Sequence, residues 1–364
     1  MSQAGFSTAP LADKSAAIAI VGIGCRLPGD ISSPSQLWEF LAEGRSAASA
    51  LPKSRFNRDN YHGDKDEPAT TQARGGYFLQ DDIRQFDNQF FGINNREAAA
   101  MDPQQRKLLE VVFETLRGQC RCYVASFTPD YIALQTKDPE SLTRYSALGL
   151  GTTLLSNRIS RIFNLKGPSC VIDTACSSSL YALHTACVAL QNGECDSAVV
   201  AGVNLIQSPE LHIAISQAGL LSPSSTCRTF DSSADGYARA DGVNAIYIKR
   251  LDDAVRGRDV IRSIIRGTAE AVIRKAYTRA GLDPAETAYV GTHGTGTSIG
   301  DPIEVKALSR VFNSRPTFLG SVKPNLRHGE ASSGLLSVIK ASLAAERGQI
   351  PPTISVKEEA VRAV

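Results

Sequence analysis

Residues 169–193, SCVIDTACSSSLYALHTACVALQNG, decide the fold class. The short run Cys170–Asp173, with its β-branched pair Val171 and Ile172, predicts a buried strand. After the turn, Leu180, Leu183, Cys187 and Leu190 fall on one helical stripe over Ser178–Gln191, which Ala182, Ala186 and Ala189 widen. A second stretch, 318–348, FLGSVKPNLRHGEASSGLLSVIKASLAAERG, has the same design. Strand Phe318–Val322 leads through a short turn into a helix over Ser332–Arg347, which Leu335, Leu336, Val338, Ile339, Ala341 and Leu343 surround almost completely. Helices that are apolar nearly all round are buried. Two such helices following strands, one in each half, predict a duplicated α/β core.

Further apolar runs, Ala17–Ile23, Ser197–Asn204, Asn244–Ile248 and Tyr289–Thr292, predict strands; helical spacing predicts helices over Gln104–Leu116 and Val272–Ala280. Strands alternating with helices specify an α/β domain with mostly buried sheets. Residues 50–85, rich in Asp, Arg, Gly and Asn, predict surface excursions. A length of 364 residues allows two or three domains, or one large one, and 42% hydrophobic with 21% charged residues excludes general disorder. The 39 basic and 37 acidic side chains leave a charge of +2 without basic blocks, which argues against a nucleic-acid or polybasic membrane binder. No apolar run approaches the ~18–20 residues of a membrane span. The opening MSQAGFSTAPLADKSA has no apolar core of a secretory signal, so residues 1–16 predict a flexible lead-in and the chain a cytoplasmic location. Eight cysteines without a Cys-x-x-Cys pair predict reduced thiols, and Cys120-x-Cys122 has the wrong spacing for zinc.

Cys176 lies between strand and buried helix. A helix N-terminus presents unpaired N–H groups and partial positive charge, which favour a thiolate over a thiol. The three serines that follow are small and let a substrate approach the sulfur. Cys170 and Cys187, inside apolar runs, predict core positions. Two histidines stand in loops of small residues: His293 in Thr292-His-Gly-Thr-Gly-Thr297, and His328 after Ser321-Val-Lys-Pro-Asn325. His184 and His212 sit in helical apolar patterns and predict structural roles; His62 predicts a solvated ring. One accessible cysteine beside two loop histidines points to nucleophilic catalysis. Gly22-Ile-Gly24 follows a strand, but Leu27 occupies the third glycine position and Pro28 follows, so no nicotinamide site is expected there.

Together, DTACSSS, HGTGT and SVKPN-x-x-H-x-E resemble the β-ketoacyl synthase domains of polyketide synthases. AIVGIGCRLPG near residue 20, FDNQFFGINNREAAAMDPQQRKLLE at 86–110, LSNRISRIFNLKGPS at 155–169 and TFDSSADGYARADG at 229–242 extend the resemblance to nearly the whole chain after residue 16. It implies a thiolase-like α/β fold, a five-layer α-β-α-β-α core of two similar halves and usually a homodimer. The first half would span 17–250 and carry Cys176; the second would span 251–364 and carry both histidines. It implies a decarboxylative Claisen condensation in polyketide or fatty-acid-like biosynthesis, in which Cys176 takes an acyl group from the phosphopantetheine of an acyl carrier protein. His293 and His328 would then stabilise the enolate formed from a malonyl thioester. Lys323 would orient the His328 loop in a pair with Glu330, supported by Asn325, Thr295 and Thr297. No cofactor or metal would be bound by the domain itself, and carrier and acyltransferase domains would be its partners.

Against that family pattern, RGQCRCYVASF (117–127) stands in place of a helix end, loop and strand, a substrate-side loop is missing between Gly267 and Val272, and the chain stops at VKEEAVRAV before a closing GFGGTNAH-type loop. The fold is therefore expected to be incomplete at its C-terminus. Gly291 and Ala240 replace an acidic residue and a glycine. Arg327 replaces the glycine beside His328, where its guanidinium would obstruct the site or hold a carboxylate. The alternative is an inactive or truncated fragment without a complete oxyanion hole. A cysteine hydrolase does not account for two histidines with Lys323, and a chalcone-type synthase fits the two histidine motifs less well.

Overall fold

The computed structural model describes residues 17–64, 67–267 and 273–357. Six strands form one sheet: β1 (Ile18–Arg26), β2 (Arg121–Ala125), β3 (Ser169–Ile172), β4 (Ser197–Asn204), β5 (Gly242–Arg250) and β6 (Ser263–Ile265), in the order β3-β2-β4-β5-β1-β6. β2 pairs in parallel with β3 and β4, whereas β5 is antiparallel to β4 and β1, and β1 to β6. Both faces are buried, and side chains alternate between them as a strand's period of two requires. Ala198, Val200, Ile246 and Ile248 join one core; Val199, Ala201, Val203, Ala245 and Tyr247 join the other.

Helices Pro103–Thr115 and Leu154–Ile162 cover the second face. The two helices predicted from the opening motifs, Ser178–Gln191 and Ser333–Arg347, cover the first. Beyond them, β7 (Tyr289–Gly291) and β8 (Phe318–Gly320) pair in parallel as a second, two-stranded sheet among the described residues. Gly334 lets the N-termini of those two helices meet: a Cβ there would lie 2.6 Å from Leu180 Cγ. Gly22 and Gly24, passed over as a nucleotide motif, serve packing. Cβ atoms on them would lie 2.3 Å from the Thr115 carbonyl oxygen and 2.4 Å from Thr115 Oγ1, so their absence lets β1 rest on the backbone of Pro103–Thr115.

Three expectations need correction. Segment 117–127 does contain a strand, β2, and it is central to the large sheet. Leu180 is not part of a buried stripe: 46% exposed, it covers Gly334 while Ala182, Ala186 and Ala189 face the sheet. β6, from beyond residue 250, is an edge strand of the large sheet. His62 is exposed, as its place in the polar excursion predicts, and its Nδ1 lies 3.1 Å from the Thr71 carbonyl oxygen. The lead-in 1–16, the missing loop at 268–272 and the end at 358–364 lie outside the described residues. No helix among those described is long and apolar enough to cross a membrane.

Gly22→Ala or Gly24→Ala must push the helix off the sheet. Each is expected to cost about 1–3 kcal/mol, seen as a lower midpoint in chemical denaturation. An unchanged midpoint would show that the contact is slack.

Candidate active site

Cys176 follows β3 in a turn held by its own side chains. Ala175 takes φ 55, an unfavourable left-handed conformation for a residue with a Cβ. Its N–H donates to Asp173 Oδ1 (3.0 Å), and the Ser178 hydroxyl donates to the Ala175 carbonyl oxygen (2.6 Å) while accepting the Thr174 N–H (2.8 Å). Cys176 is thus presented, half-buried, just before the helix that starts at Ser178. The second helix is tied on here: Ser333 Oγ donates to the Cys176 carbonyl oxygen (3.4 Å) and Leu335 N–H to Ser179 Oγ (3.0 Å).

His293 follows β7. The carboxylate of Glu304 accepts the His293 and Gly294 N–H groups at 2.6 and 2.8 Å, and Asp301 accepts those of Gly296, Thr297 and Phe230. Thr229 Oγ1 donates to the Gly294 carbonyl oxygen (2.6 Å). Gly296, at φ 83, could not carry a Cβ, which would lie 2.5 Å from Arg228 N. Thr295 is buried, and its hydroxyl lies 3.3 Å from that of Thr297. Buried Lys323 donates to the His293 carbonyl oxygen (2.7 Å), with its Nζ 3.5 Å from His293 Nδ1.

His328 is 3% exposed and held through its main chain: its N–H donates to the Ala238 carbonyl oxygen, and its carbonyl oxygen accepts the Ala240 N–H, both at 2.9 Å. The Glu330 N–H donates to Nδ1 at 2.9 Å, so the proton of the neutral ring is assigned to Nε2. The rings of His293 and His328 stand 5.5 Å apart at 87°, and one donor atom each from Cys176, His293 and His328 lies within 4.8 Å of the others. The three residues singled out from separate motifs converge on one place.

Two family models match, the N-terminal domain of β-ketoacyl synthase over residues 15–254 and its C-terminal domain over 259–357. The chain belongs to the β-ketoacyl synthase family. It is 57% identical to a highly reducing polyketide synthase of Neurospora crassa over 97% of this chain, and 56% identical to one of Pyricularia oryzae over 93%. It spans only 16% and 14% of those proteins' lengths. Among solved structures, an oxazolomycin ketosynthase domain of Streptomyces albus superimposes with a TM-score of 0.85 at 30% identity. The ketosynthase from module 6 of the Bacillus subtilis bacillaene synthase does so with 0.82 at 34%. Each comparison covers 94% of this chain, and 67% and 63% of the other. The fold is thiolase-like.

In this ketosynthase-family site, burial and the Lys323 cation push His293 down to about 4, although one side of the ring meets solvent. Burial, then Lys323, His293 and Arg239, hold His328 well below the usual imidazole range. Both rings are neutral at pH 7. A metal cation would meet the Lys323 ammonium, and His328 Nδ1 is already engaged, so the donor set suits an anion better than a metal. A surface groove of about 490 Å³ lined by Leu51, Lys53, Phe56 and Arg58 takes in none of the three.

The structure corrects two expectations. Glu330 does not pair with Lys323; its carboxylate accepts Arg239 Nε at 3.1 Å and the Tyr237 hydroxyl at 3.4 Å. Arg327 neither obstructs the site nor holds a carboxylate: at φ 61 it turns its guanidinium 4.5 Å above the Tyr77 ring and donates to the Cys227 and Pro324 carbonyl oxygens. Asn325 anchors its loop by donating to the Arg45 carbonyl oxygen (2.9 Å). Sequence reasoning missed Asp301 and Glu304; a carboxylate five and eight residues after Gly296 was the available signal.

With its folded value near 4 and an ordinary value of 6.5, His293 leaves the unfolded chain binding more protons between those limits, so stability falls as pH drops through that window. An imidazole titration by NMR should place His293 near 4, and Lys323→Met should move it upward. A wild-type value near 6.5 would refute the electrostatic account.

Proposed function

We propose that this chain is a condensing ketosynthase domain working in the cytoplasm on thioesters carried by phosphopantetheine. The observation that carries the reading is the convergence of one half-buried thiol with two imidazoles kept neutral. The Cys176 thiolate attacks an acyl thioester carbonyl; the pantetheine sulfur leaves and takes up the proton that Cys176 gave up. A malonyl thioester then loses carbon dioxide, and the electron pair of the broken C–C bond passes into an enolate. The Nε2–H groups of His293 and His328 donate to its oxygen, where fixed donors act strongly in a dry site. The enolate carbon bonds the acyl carbonyl carbon, and the Cys176 thiolate departs. The leaving carboxylate supplies the electrons, so the scheme requires no redox cofactor.

The relatives' greater length supports further domains as partners, namely an acyl carrier protein and an acyltransferase, and the family resemblance supports a homodimer. The acyl group reaches Cys176 on the carrier's arm.

The test is incubation with an acyl pantetheine thioester, digestion and mass spectrometry, with carbon dioxide release from a malonyl thioester measured separately. Acyl mass is expected on the Cys176 peptide and absent from Cys176→Ala. His293→Ala and His328→Ala should still acylate while decarboxylation falls about 10²–10³-fold. Acyl mass on another peptide would overturn the reading, and failure of the folded chain to acylate would favour an inactive fragment.

A further inference from the structure

The turn that aims the Glu330 N–H at His328 Nδ1 is not self-supporting. Glu330 has φ 43 and Arg327 φ 61, conformations that cost residues with a Cβ on the order of 1–3 kcal/mol each. The segment 237–240 holds this turn at several points. Its backbone brackets His328, the Tyr237 ring packs 4.9 Å from the imidazole, and the Arg239 and Tyr237 side chains grip the Glu330 carboxylate. Arg239 is fully buried; its two terminal nitrogens have no hydrogen-bond partner among the described residues, its Nε donates to Glu330, and its charge also reaches buried Asp130 and His212. Without Arg239, a buried carboxylate would be left unneutralised 3.9 Å from His328 Nδ1.

We propose that Arg239 is a positioning residue whose grip on Glu330 keeps the Glu330 amide on His328 Nδ1, so that the ring stays neutral with its proton on Nε2. This deepens the ketosynthase reading and rests on it only for the link to turnover. The charged and titratable groups around His328 are His293, Lys323 and Cys176 on the cavity side and Arg239, Glu330 and Tyr237 behind it. When Arg239 is lost, Nδ1 is freed and a cation that opposes protonation of the ring is removed. The ring then titrates at higher pH and loses its role as a neutral donor.

Imidazole nitrogen spectra of the full chain labelled with 15N-histidine test this. The wild type is expected to show His328 with its proton on Nε2. Arg239→Met should lose that tautomer, lower decarboxylation about 10–100-fold with acylation of Cys176 retained, and move the acid limb of decarboxylation upward. Glu330→Ala should also release Nδ1, but without the upward move, because the Arg239 cation remains beside the ring. Arg239→Lys keeps the charge and should retain the tautomer. A folded Arg239→Met or Glu330→Ala whose His328 tautomer and titration match the wild type would overturn the proposal. Should the Met variant not fold, the Glu330→Ala spectrum decides alone. The spectra need no turnover, so an inactive wild type with the Nε2–H tautomer would sink the ketosynthase reading and leave this one standing.

Discussion

Two backbone hydrogen bonds, from His328 to Ala238 and from Ala240 to His328, hold the candidate site together. They fasten a loop that follows β8 onto a segment leading directly into β5 of the large sheet. The attachment is reinforced from the sheet itself: Asn204 Nδ2 donates to the Ala240 carbonyl oxygen (2.6 Å) and Asn244 Nδ2 to that of Ser332 (3.1 Å). Asp241, paired with buried Arg55, accepts the Ile206 and Leu79 N–H groups and so fixes the same segment from below. His328 is therefore positioned by contacts to residues far from it in sequence, and a rigid sheet determines where its ring points.

That arrangement places buried cations close to the imidazoles. Lys323 lies against His293, and Arg239 contributes to the low affinity of His328 for a proton. Burying a cation is costly unless it is paired or hydrogen-bonded. Here Lys323 bonds a carbonyl oxygen and Arg239 a carboxylate, so each cation is fixed in place while opposing a second positive charge on its histidine. The result is two neutral donors at neutral pH. Stability is lost on acidification because the unfolded chain accepts protons that the folded site refuses.

The strands and helices around the motifs were legible because buried elements announce themselves by apolar periodicity, and helix Ser178–Gln191 has the expected ends. Cys176, His293 and His328 were legible because small-residue loops after strands are an uncommon setting for such side chains. β2 was obscured because RGQCRCYVASF was compared with a longer family segment, although Cys122–Val124 is apolar throughout. The partner of Glu330 was misassigned because Lys323 is near in sequence. Positive φ at Arg327 and Glu330 reverses the chain, and the carboxylate reaches Arg239, 91 residues away, instead. Local sequence does not encode a contact of that range. Asp301 and Glu304 were hidden for a related reason: their partners are main-chain N–H groups, which have no residue type to match.

One rule accounts for where the site lies. Cys176 follows β3, His293 follows β7, and Lys323 and His328 follow β8; each of these strands runs parallel to a neighbour. In α/β structures, loops leaving the C-terminal ends of parallel strands collect on one side, where the next helix also begins. A two-stranded parallel sheet has little stability by itself, yet β7 and β8 carry both histidine loops. They are fixed by interactions across the helix layer and at their ends. Lys340 donates to the Ser321 carbonyl oxygen (2.8 Å) with its ammonium 6.0 Å from the Tyr289 ring, and the Thr292 N–H and hydroxyl both donate to the Gly320 carbonyl oxygen. Lys340 belongs to the same buried helix whose first turn is tied to Cys176. A single helix, Ser333–Arg347, thus sets the distance between the thiol and the two imidazoles. A change in its seating would move both histidine loops relative to the sulfur while leaving each loop's internal geometry intact.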